Sequence, residues 1–343
     1  GSLISTPSKP RPHAPAIAML RRHRLLIVGC GDVGLRFLRQ NQRLIQAGRL
    51  RVFVLTSSAA RIPALRALGA VPLLGNLDDA ASLRRLRGLA ERVLYLAPPP
   101  AHTTAAAPQH SYEKMSYSGR FFGSNRQKHA ENTLLDPRSL ALQRSLRRGQ
   151  EPQQVVYAST SGVYGDCAGA WIDETQPLAP QTDRAARRVG AEGIWRGSGL
   201  PISILRIPGI YALDRQDGTP ATRLQKGTPV LAAADDVYTN HIHADDLARA
   251  CRLALWRGKP QRTYHVSDDS QLKMGDYFDL AADLLALPRP PRLARAALAQ
   301  VLSPVQMSFL RESRRLRNTR IKTELGLRLA YPSPAAGLRA LTR

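Results

Sequence analysis

The chain has 343 residues, of which 43% are hydrophobic, so it can bury a core and disorder of the whole chain is excluded. No apolar run approaches the length that crosses a membrane, so we expect no membrane partner. The net charge of +24 comes from 50 basic residues, of which only seven are lysines, and the sequence has no basic block with interleaved aromatic residues. The charge therefore favours attraction of phosphate-bearing small molecules and predicts no nucleic-acid partner.

The N-terminal residues 1–20 are Pro-rich and basic, which predicts a disordered arm. Within them, the mildly apolar stretch Ala14–Leu20 is followed by arginines rather than preceded by them, the wrong order for a secretory signal. The three cysteines, Cys30, Cys167 and Cys251, lie far apart and form no CxxC motif. We therefore expect no disulfide framework, no metal site and a cytoplasmic location.

Short apolar segments alternate with amphipathic ones over residues 21–212. The predicted strands are Leu25–Val28, Arg51–Leu55, Val71–Leu74, Val93–Leu96, Gln154–Tyr157 and Ile202–Ile207. The predicted helices are Val33–Gln46, Ile62–Leu68, Ala80–Leu89 and Arg184–Trp195. This alternation predicts an α/β fold with a Rossmann-type, doubly wound parallel sheet that helices cover on both faces.

The pattern changes in residues 213–343, where a strand at Thr263–Val266 is flanked by predicted helices at Ala244–Trp256 and Lys273–Leu287. We expect a smaller, mostly helical substrate lobe here, with elements that return to the sheet. The polar segment Ala101–Asp136 is long and irregular, and two interpretations stay open, a lid over the ligand pocket or a disordered insertion.

A glycine motif follows the first predicted strand at once and opens the first predicted helix. Its residues Gly29, Gly31, Asp32, Val33 and Gly34 are predicted to bind a dinucleotide. Gly29 would make the tight turn, Gly31 would let the backbone approach the pyrophosphate, and Gly34 would let the helix pack close to the strand. The free amides and partial positive charge of the helix N-terminus would then hold the phosphates.

No acidic residue occurs between Val33 and Leu77, and this bears on which cofactor the chain prefers. Sites that prefer NAD usually place Asp or Glu after the second strand, to bind the ribose 2′-hydroxyl. This chain instead has Thr56, Ser57 and Arg61, which suit a 2′-phosphate and favour NADP, with NAD as the alternative. Arg61 could equally be a solvated helix residue. Four further residues are predicted to border the adenosine, namely Asn76, Leu77, Ala97 and Pro98.

At this point the sequence resembles the extended or atypical short-chain dehydrogenases/reductases of the NAD-dependent epimerase/dehydratase type. The matching segments, in family order, are Val155–Gly165, Leu205–Tyr211, Asn240–Ala248 and the C-terminal pattern Asn318, Leu325-Gly326 and Tyr331-Pro332. The resemblance runs from Leu25 to Pro334, apart from the Ala101–Asp136 insertion. It implies that Thr160 orients the substrate oxygen and that Pro208 lies beside the nicotinamide. Homodimers are common in this family, so the resemblance also implies a homodimer as one option.

The resemblance fails at the usual catalytic Tyr and Lys. Counted back from Glu192, these positions hold Arg184 and Arg188, and arginine stays protonated near neutral pH. Two arginines at this spacing repel each other by roughly 0.2–0.5 kcal/mol unless an anion lies between them. One hypothesis is therefore an anion clamp, and the alternative is a solvated basic helix face.

Other residues could replace the missing tyrosine. Tyr164 would need a nearby cation to act as an acid–base, and its alternative role is packing within its turn. Asp246 is predicted to cap a helix and His243 to bond to a neighbouring loop. The first functional hypothesis is an NADP(H)-dependent oxidoreductase or epimerase that acts on a small polar, anionic carbonyl or sugar substrate. The second is a non-catalytic dinucleotide-binding protein, with a sensor or structural role.

Overall fold

The computed structural model describes residues 22–101, 136–215 and 219–339. The predicted arm at residues 1–20 and nearly all of the predicted insertion therefore lie outside the described residues. The main sheet has seven parallel strands in the order β12-β7-β5-β4-β1-β2-β3. They are β1 (His23–Val28), β2 (Leu50–Thr56), β3 (Val71–Leu74), β4 (Arg92–Tyr95), β5 (Gln154–Thr160), β7 (Ile202–Ile207) and β12 (Arg262–His265).

The chain order of these strands creates a crevice. From β1 the chain adds β2 and β3 on one side, and then β4, β5, β7 and β12 on the other. Val28 at the end of β1 pairs with Leu55 of β2 and with Tyr95 of β4, so the order reverses at β1. In open sheets of parallel strands, ligands bind at the carboxyl ends of the strands beside such a switch point.

Helices cover both faces of the sheet. They are α1 (Asp32–Gln40), α2 (Gln42–Gln46), α3 (Ile62–Ala67), α4 (Pro137–Leu146), α5 (Asp183–Arg196), α6 (Pro220–Gln225), α7 (Ala244–Arg257), α8 (Met274–Leu284), α9 (Arg295–Val301), α10 (Pro304–Phe309), α11 (Thr319–Leu325) and α12 (Pro334–Arg339). Leu25 and Ile27 of β1 face α1, α7 and α11, while Leu26 and Val28 face α4 and α5. This alternation along one strand is what a sheet buried on both faces requires.

The predicted fold class is confirmed, with differences in two elements. The helix expected at Val33–Gln46 is broken at Asn41, whose side chain donates to the carbonyl of Phe37 at 2.7 Å. The helix expected at Ala80–Leu89 is a 3₁₀ helix at Ala80–Leu86. The strand after α7 pairs with β7 and forms the edge of the main sheet.

The second lobe combines helices with short strand pairs. The remaining strands are β6 (Trp171–Ile172), β8 (Gly209–Tyr211), β9 (Val230–Leu231), β10 (Tyr238–Thr239), β11 (His241–His243), β13 (Leu272–Lys273), β14 (Arg292–Leu293) and β15 (Arg315–Leu316). They pair two by two, and a separate apolar core under α8 holds this lobe together. Within the described ranges, no helix has both the length and the apolar character that a membrane span needs.

Candidate functional site

Two cavities adjoin at the carboxyl edge of the sheet. The smaller, of about 280 Å³, lies over the glycine motif, and the larger, of about 660 Å³, lies between the sheet and the second lobe. Four residues line both cavities, namely Thr160, Ile207, Pro208 and Ile210. A group bound in one cavity would therefore lie beside a group bound in the other.

The glycine motif has the backbone geometry that a dinucleotide needs. Gly29 has a φ of +83°, and a Cβ there would lie 2.4 Å from the backbone nitrogen of Ala97. A Cβ on Gly31 would meet no atom within 4 Å, so it would project into open space beside the cavity. A Cβ on Gly34 would lie 2.6 Å from the sulfur of Cys30. The loop thus fits a bound pyrophosphate, with the amides at the start of α1 free for its oxygens.

The acidic residue of the motif is already paired. Asp32 accepts from Arg36 at 2.9 Å and lies 3.4 Å from Arg215. Arg36 is only 4% exposed and also donates to Asp214 and Asp245. Burial lowers the pKa of Arg36, but its three carboxylate partners outweigh burial and raise it. The network fixes the start of α1 against the second lobe, and arginine neutralises the Asp32 carboxylate near the phosphate position.

The residues predicted for the adenosine end lie after β2, β3 and β4. Thr56 is buried and bonds within its own turn to Ser58, whereas Ser57 is exposed. Burial raises the pKa of the Cys30 thiol to about 11, and the nearby positive charge of Arg61 opposes this rise. Asn76, Leu77, Ala97 and Pro98 do not line the small cavity among the residues described.

Thr160 and the two arginines of α5 have different positions. The Thr160 hydroxyl accepts from the Gly162 amide at 2.9 Å, and its proton stays available to donate. Arg188 lines the small cavity and donates to the carbonyl of Ala158 at 2.8 Å and to the Tyr157 hydroxyl at 3.2 Å. Arg184 lines the large cavity, with its guanidinium 4.2 Å from the ring centre of Phe309. The two arginines therefore face different cavities and do not form one clamp around a single small anion.

Tyr164 lies in the interior and lines neither cavity. It is 1% exposed, its hydroxyl accepts from Arg206 at 2.8 Å, and the same oxygen is 2.5 Å from Nε2 of His265. Burial raises the pKa of Tyr164 to about 12, despite the neighbouring Arg206. These contacts favour the packing role over the acid–base role for Tyr164.

A buried ion pair anchors α5 to the sheet. Glu192 is 0% exposed and accepts from Arg206 of β7 at 2.7 Å and from Ser159 of β5 at 2.6 Å. Burial raises the pKa of Glu192, but its bonds and charge interactions with Arg206, Arg196 and Ser159 together lower it by more, so the net shift is downward. The pair fixes the register of α5 on the sheet, and with it the positions of the two arginines on α5.

Sequence reasoning missed the second-lobe residues of the large cavity. Its lining includes Arg223, Glu312 and Arg314, and each has a buried side-chain atom without a hydrogen-bond partner. These atoms are Nε of both arginines and Oε1 of Glu312. Glu312 is 8% exposed, and its other oxygen lies 3.3 Å from Arg314. Unpartnered buried polar groups that cluster around one cavity are typical of a ligand site.

Aromatic rings form much of the remaining wall of the large cavity. They belong to Tyr211, Tyr238, Tyr277, Phe278 and Phe309. His241 also lines it, and burial lowers the pKa of this histidine to about 4, so it is neutral at pH 7. No signal in the sequence connected these segments, because they come from distant parts of the chain. Among the described residues, no cluster of His, Cys, Asp or Glu could hold a metal ion.

The predicted roles of His243 and Asp246 are wrong and should be exchanged. His243 caps α7, since its Nδ1 accepts from the amide of Asp245 at 3.0 Å. Asp246 instead accepts from the amides of Ala330 and Tyr331, both at 2.9 Å, and so holds the loop. The residue that precedes the helix is in position to cap it, whereas the third helical residue points toward the neighbouring loop.

Comparison with known families agrees with this geometry. Residues 101–267 match the sequence model of the NAD dependent epimerase/dehydratase family. This range includes β5, α5 and β7 but not the glycine motif. The resemblance found in the sequence is confirmed over the matched residues.

The curated relatives match the chain over part of its length. A 3-diazoavenalumate denitrifying reductase from a Streptomyces species is 28% identical over 180 residues, which are 51% of this chain and 58% of the relative. The human dTDP-D-glucose 4,6-dehydratase is 24% identical over 144 residues, or 39% of this chain and 40% of the relative. The chain thus matches only about half the length of these relatives.

Solved structures match nearly the whole chain. A conserved protein of unknown function from Silicibacter pomeroyi is 29% identical, with a TM-score of 0.66 over 93% of this chain and 98% of that one. The dTDP-glucose 4,6-dehydratase DesIV from Streptomyces venezuelae, with NAD bound, is 22% identical, with a TM-score of 0.65 over 92% and 94%. The second likeness is one of fold.

Proposed function

We propose that the chain is an NADP(H)-dependent oxidoreductase or epimerase-like enzyme for a small anionic carbonyl or sugar substrate. The proposal is supported by the match of residues 101–267 to the epimerase/dehydratase family model and by the Rossmann-type sheet. One observation carries the proposal, the wall that the two cavities share at Thr160 and Pro208. A nicotinamide in the small cavity would lie against a substrate in the large one. When bound, the cofactor supplies hydride chemistry, and the protein supplies orientation and electrostatics.

The preference for NADP is supported by the charge beside the glycine loop. The segment from the end of β2 to Leu77 contains no carboxylate, and the charge of Arg61 is near enough to the glycine loop to act on the pKa of Cys30. A guanidinium binds a phosphate through two parallel, charge-assisted hydrogen bonds. Arg188, with donors left beyond its two bonds to the strand, would hold the ribose or phosphate of the cofactor from the other side.

The substrate cavity supports a ligand with both a negative charge and a hydrogen-bond donor. Arg184, Arg223 and Arg314 supply three cations, and among the described lining residues Glu312 is the one carboxylate. Burial lowers the pKa of Arg184, and the negative charge of Glu312, which lines the same cavity, partly offsets this shift. Arg184 occupies the position of the missing tyrosine and stays charged near neutral pH.

Glu312 is the group that we propose for proton transfer. Thr160 would donate a hydrogen bond to the substrate oxygen. Oε1 of Glu312 would accept the proton of the substrate hydroxyl as the neighbouring substrate carbon gives up hydride, for which the oxidised cofactor would be the acceptor. In the reverse direction the protonated Glu312 would return the proton to the carbonyl oxygen. General acid–base catalysis by a positioned carboxyl group contributes typically about 10²–10⁴-fold.

The cofactor proposal is tested by calorimetric titration of NADPH and NADH into the wild type and Arg61→Asp. We expect the variant to lose most of its NADPH affinity and little of its NADH affinity. Arg66→Asp makes the same charge change at an exposed position of α3 and should leave both affinities unchanged. An equal loss for both coenzymes in Arg61→Asp would discard the assignment of Arg61.

The enzyme proposal is tested by NADPH oxidation with a panel of anionic carbonyl compounds and, because an epimerase regenerates its cofactor, by isomerisation of nucleotide sugars in the presence of NADP⁺. We expect turnover with at least one compound, and its loss in Glu312→Gln with NADPH affinity kept. Glu151→Gln, at an exposed site, serves as the control. NADPH binding without turnover across the panel would instead favour the non-catalytic dinucleotide-binding protein.

A further inference from the structure

A basic groove opens at the amino-terminal edge of the sheet, opposite the two cavities. It has a volume of about 890 Å³ and lies between the start of β1, the turn before β2, the end of α7 and the segment after α11. Its wall includes five arginines, namely Arg49, Arg249, Arg252, Arg257 and Arg328. No carboxylate lines the groove within the described part of the chain.

The arginines of the groove are largely without acidic partners. Arg249 bonds to Asp246, and Arg257 donates to the carbonyl of Leu325 at 3.0 Å. Arg49, Arg252 and Arg328 are exposed, and their side chains have no hydrogen bond or ion pair to the described residues. Glu324 pairs with Arg262 outside the groove, and Glu91 pairs with Arg24 and lies 3.4 Å from the ring of His23 at the groove wall, so neither carboxylate pairs with a groove arginine. Several like charges around one concavity repel each other unless an anion neutralises them.

The groove also has an apolar wall. Trp256 lies in it together with Leu44, Leu253 and Leu327. Two neighbours contact the indole: the guanidinium of Arg92 is 5.1 Å from its ring centre, and the ring of His23, which also lines the groove, meets it edge-on at 6.4 Å. A fixed aromatic ring beside converging arginines presents an apolar surface and a polyanion site together.

We propose that this groove binds an organic polyphosphate of the size of a nucleoside triphosphate. Arginine forks bind phosphate oxygens through paired hydrogen bonds, and the indole and leucines would contact the organic part. The volume lies in the range of about 300–1,000 Å³ that small-molecule sites have. The site is distinct from the dinucleotide cavity, since the two lie at opposite ends of the strands.

The test is calorimetric titration of ATP and of tripolyphosphate, in the absence of NADPH and again with NADPH at saturation. The inference uses the proposed function in one respect, that NADPH would occupy the dinucleotide cavity, so heat that persists at saturating NADPH would come from another site. We expect ATP to bind under both conditions, more tightly than tripolyphosphate, and more weakly as salt is raised. The readout does not depend on turnover, so it stands or falls apart from the proposed enzyme activity.

Two triple variants decide where ATP binds. Arg49→Ala/Arg252→Ala/Arg328→Ala should weaken ATP binding at least tenfold and leave NADPH binding unchanged. Arg84→Ala/Arg85→Ala/Arg87→Ala removes the same charge from exposed positions elsewhere and should leave ATP binding unchanged. Absence of ATP binding with NADPH present, or an equal loss in both triple variants, would overturn the proposal. Equal affinity for ATP and tripolyphosphate would overturn recognition of the organic part.

Discussion

The buried pair of Glu192 and Arg206 offers a sharp test of how the fold positions the site. Glu192→Ala would remove the acceptor of two hydrogen bonds from Arg206, at 2.7 and 3.3 Å. The Arg206 side chain would stay buried, since it is only 3% exposed. Removing one partner of a buried ion pair costs about 3–5 kcal/mol, because the remaining charge stays buried and uncompensated. We therefore expect the free energy of unfolding to fall by about that amount.

The assay is urea unfolding at pH 7, with the slope checked for two-state behaviour. This pH lies above the ionisation range of Glu192, whose folded pKa is lowered, so the stability that the pair contributes is fully present there and is lost only as pH falls through that folded pKa. Glu192→Ala/Arg206→Met should lose less than Glu192→Ala alone, because no unpaired charge remains. NADPH affinity should fall in Glu192→Ala, since α5 carries Arg188.

The matched control is Glu324→Ala, which removes the close partner of Arg262 and the more distant partner of Lys259 and Arg320; Glu324 is 18% exposed and Arg262 is 38% exposed, so solvent reaches the charges that remain. Such pairs contribute about 0–1 kcal/mol. If Glu192→Ala cost no more than Glu324→Ala, or if the double variant were less stable than the single one, the argument for the buried pair would be refuted.

Three further outcomes follow from named contacts. Gly34→Ala should lower the free energy of unfolding by about 1–3 kcal/mol, because its Cβ would clash with the Cys30 sulfur. Adding Cys30→Ala to this variant should recover part of that free energy. If urea unfolding shows no recovery in the double variant, the contact with Cys30 is not the cause. Burial raises the pKa of Asp268 to about 7, so the free energy of unfolding should fall as pH rises from about 4 through 7. Asp268→Asn should therefore gain about 1–4 kcal/mol of stability relative to the wild type between pH 5 and pH 8. A stability difference between variant and wild type that does not change with pH would contradict this. Tyr164→Phe should lose about 1–3 kcal/mol of stability, because Arg206 and His265 lose a hydroxyl partner, yet keep its NADPH affinity and turnover; loss of turnover alone would return Tyr164 to the active site.

Much of the first half of the fold could be predicted because its signals are local. The apolar run Leu25–Val28, the glycines that follow it and the polar start of α1 fix the strand, the turn and the helix from neighbouring residues alone. The break at Asn41 was missed because the side chain that bonds to Phe37 competes with the helix, a contact that hydrophobic spacing does not reveal.

Only the residues on the sheet side of the candidate site could be predicted from the sequence; those from the second lobe could not. Thr160 ends β5 and Arg188 lies on α5, the next helix of the main fold, and the alternation of strands and helices predicted both elements. Glu312, Arg223 and Arg314 reach the same cavity from the second lobe, through loops and short strands without periodic patterns. Their convergence depends on long-range packing, which no local pattern records.

The sequence by itself determined the Rossmann-type class, and it predicts the place of the dinucleotide loop and the replacement of the usual Tyr and Lys by arginines. Each of these features depends on residue types that lie only a few positions apart in the sequence. Tertiary structure alone decided that Arg184 and Arg188 face different cavities and that Tyr164 is enclosed by Arg206 and His265. The physical reason is that the direction of a side chain is set by the surfaces that its helix or turn packs against, and those surfaces come from distant segments of the chain.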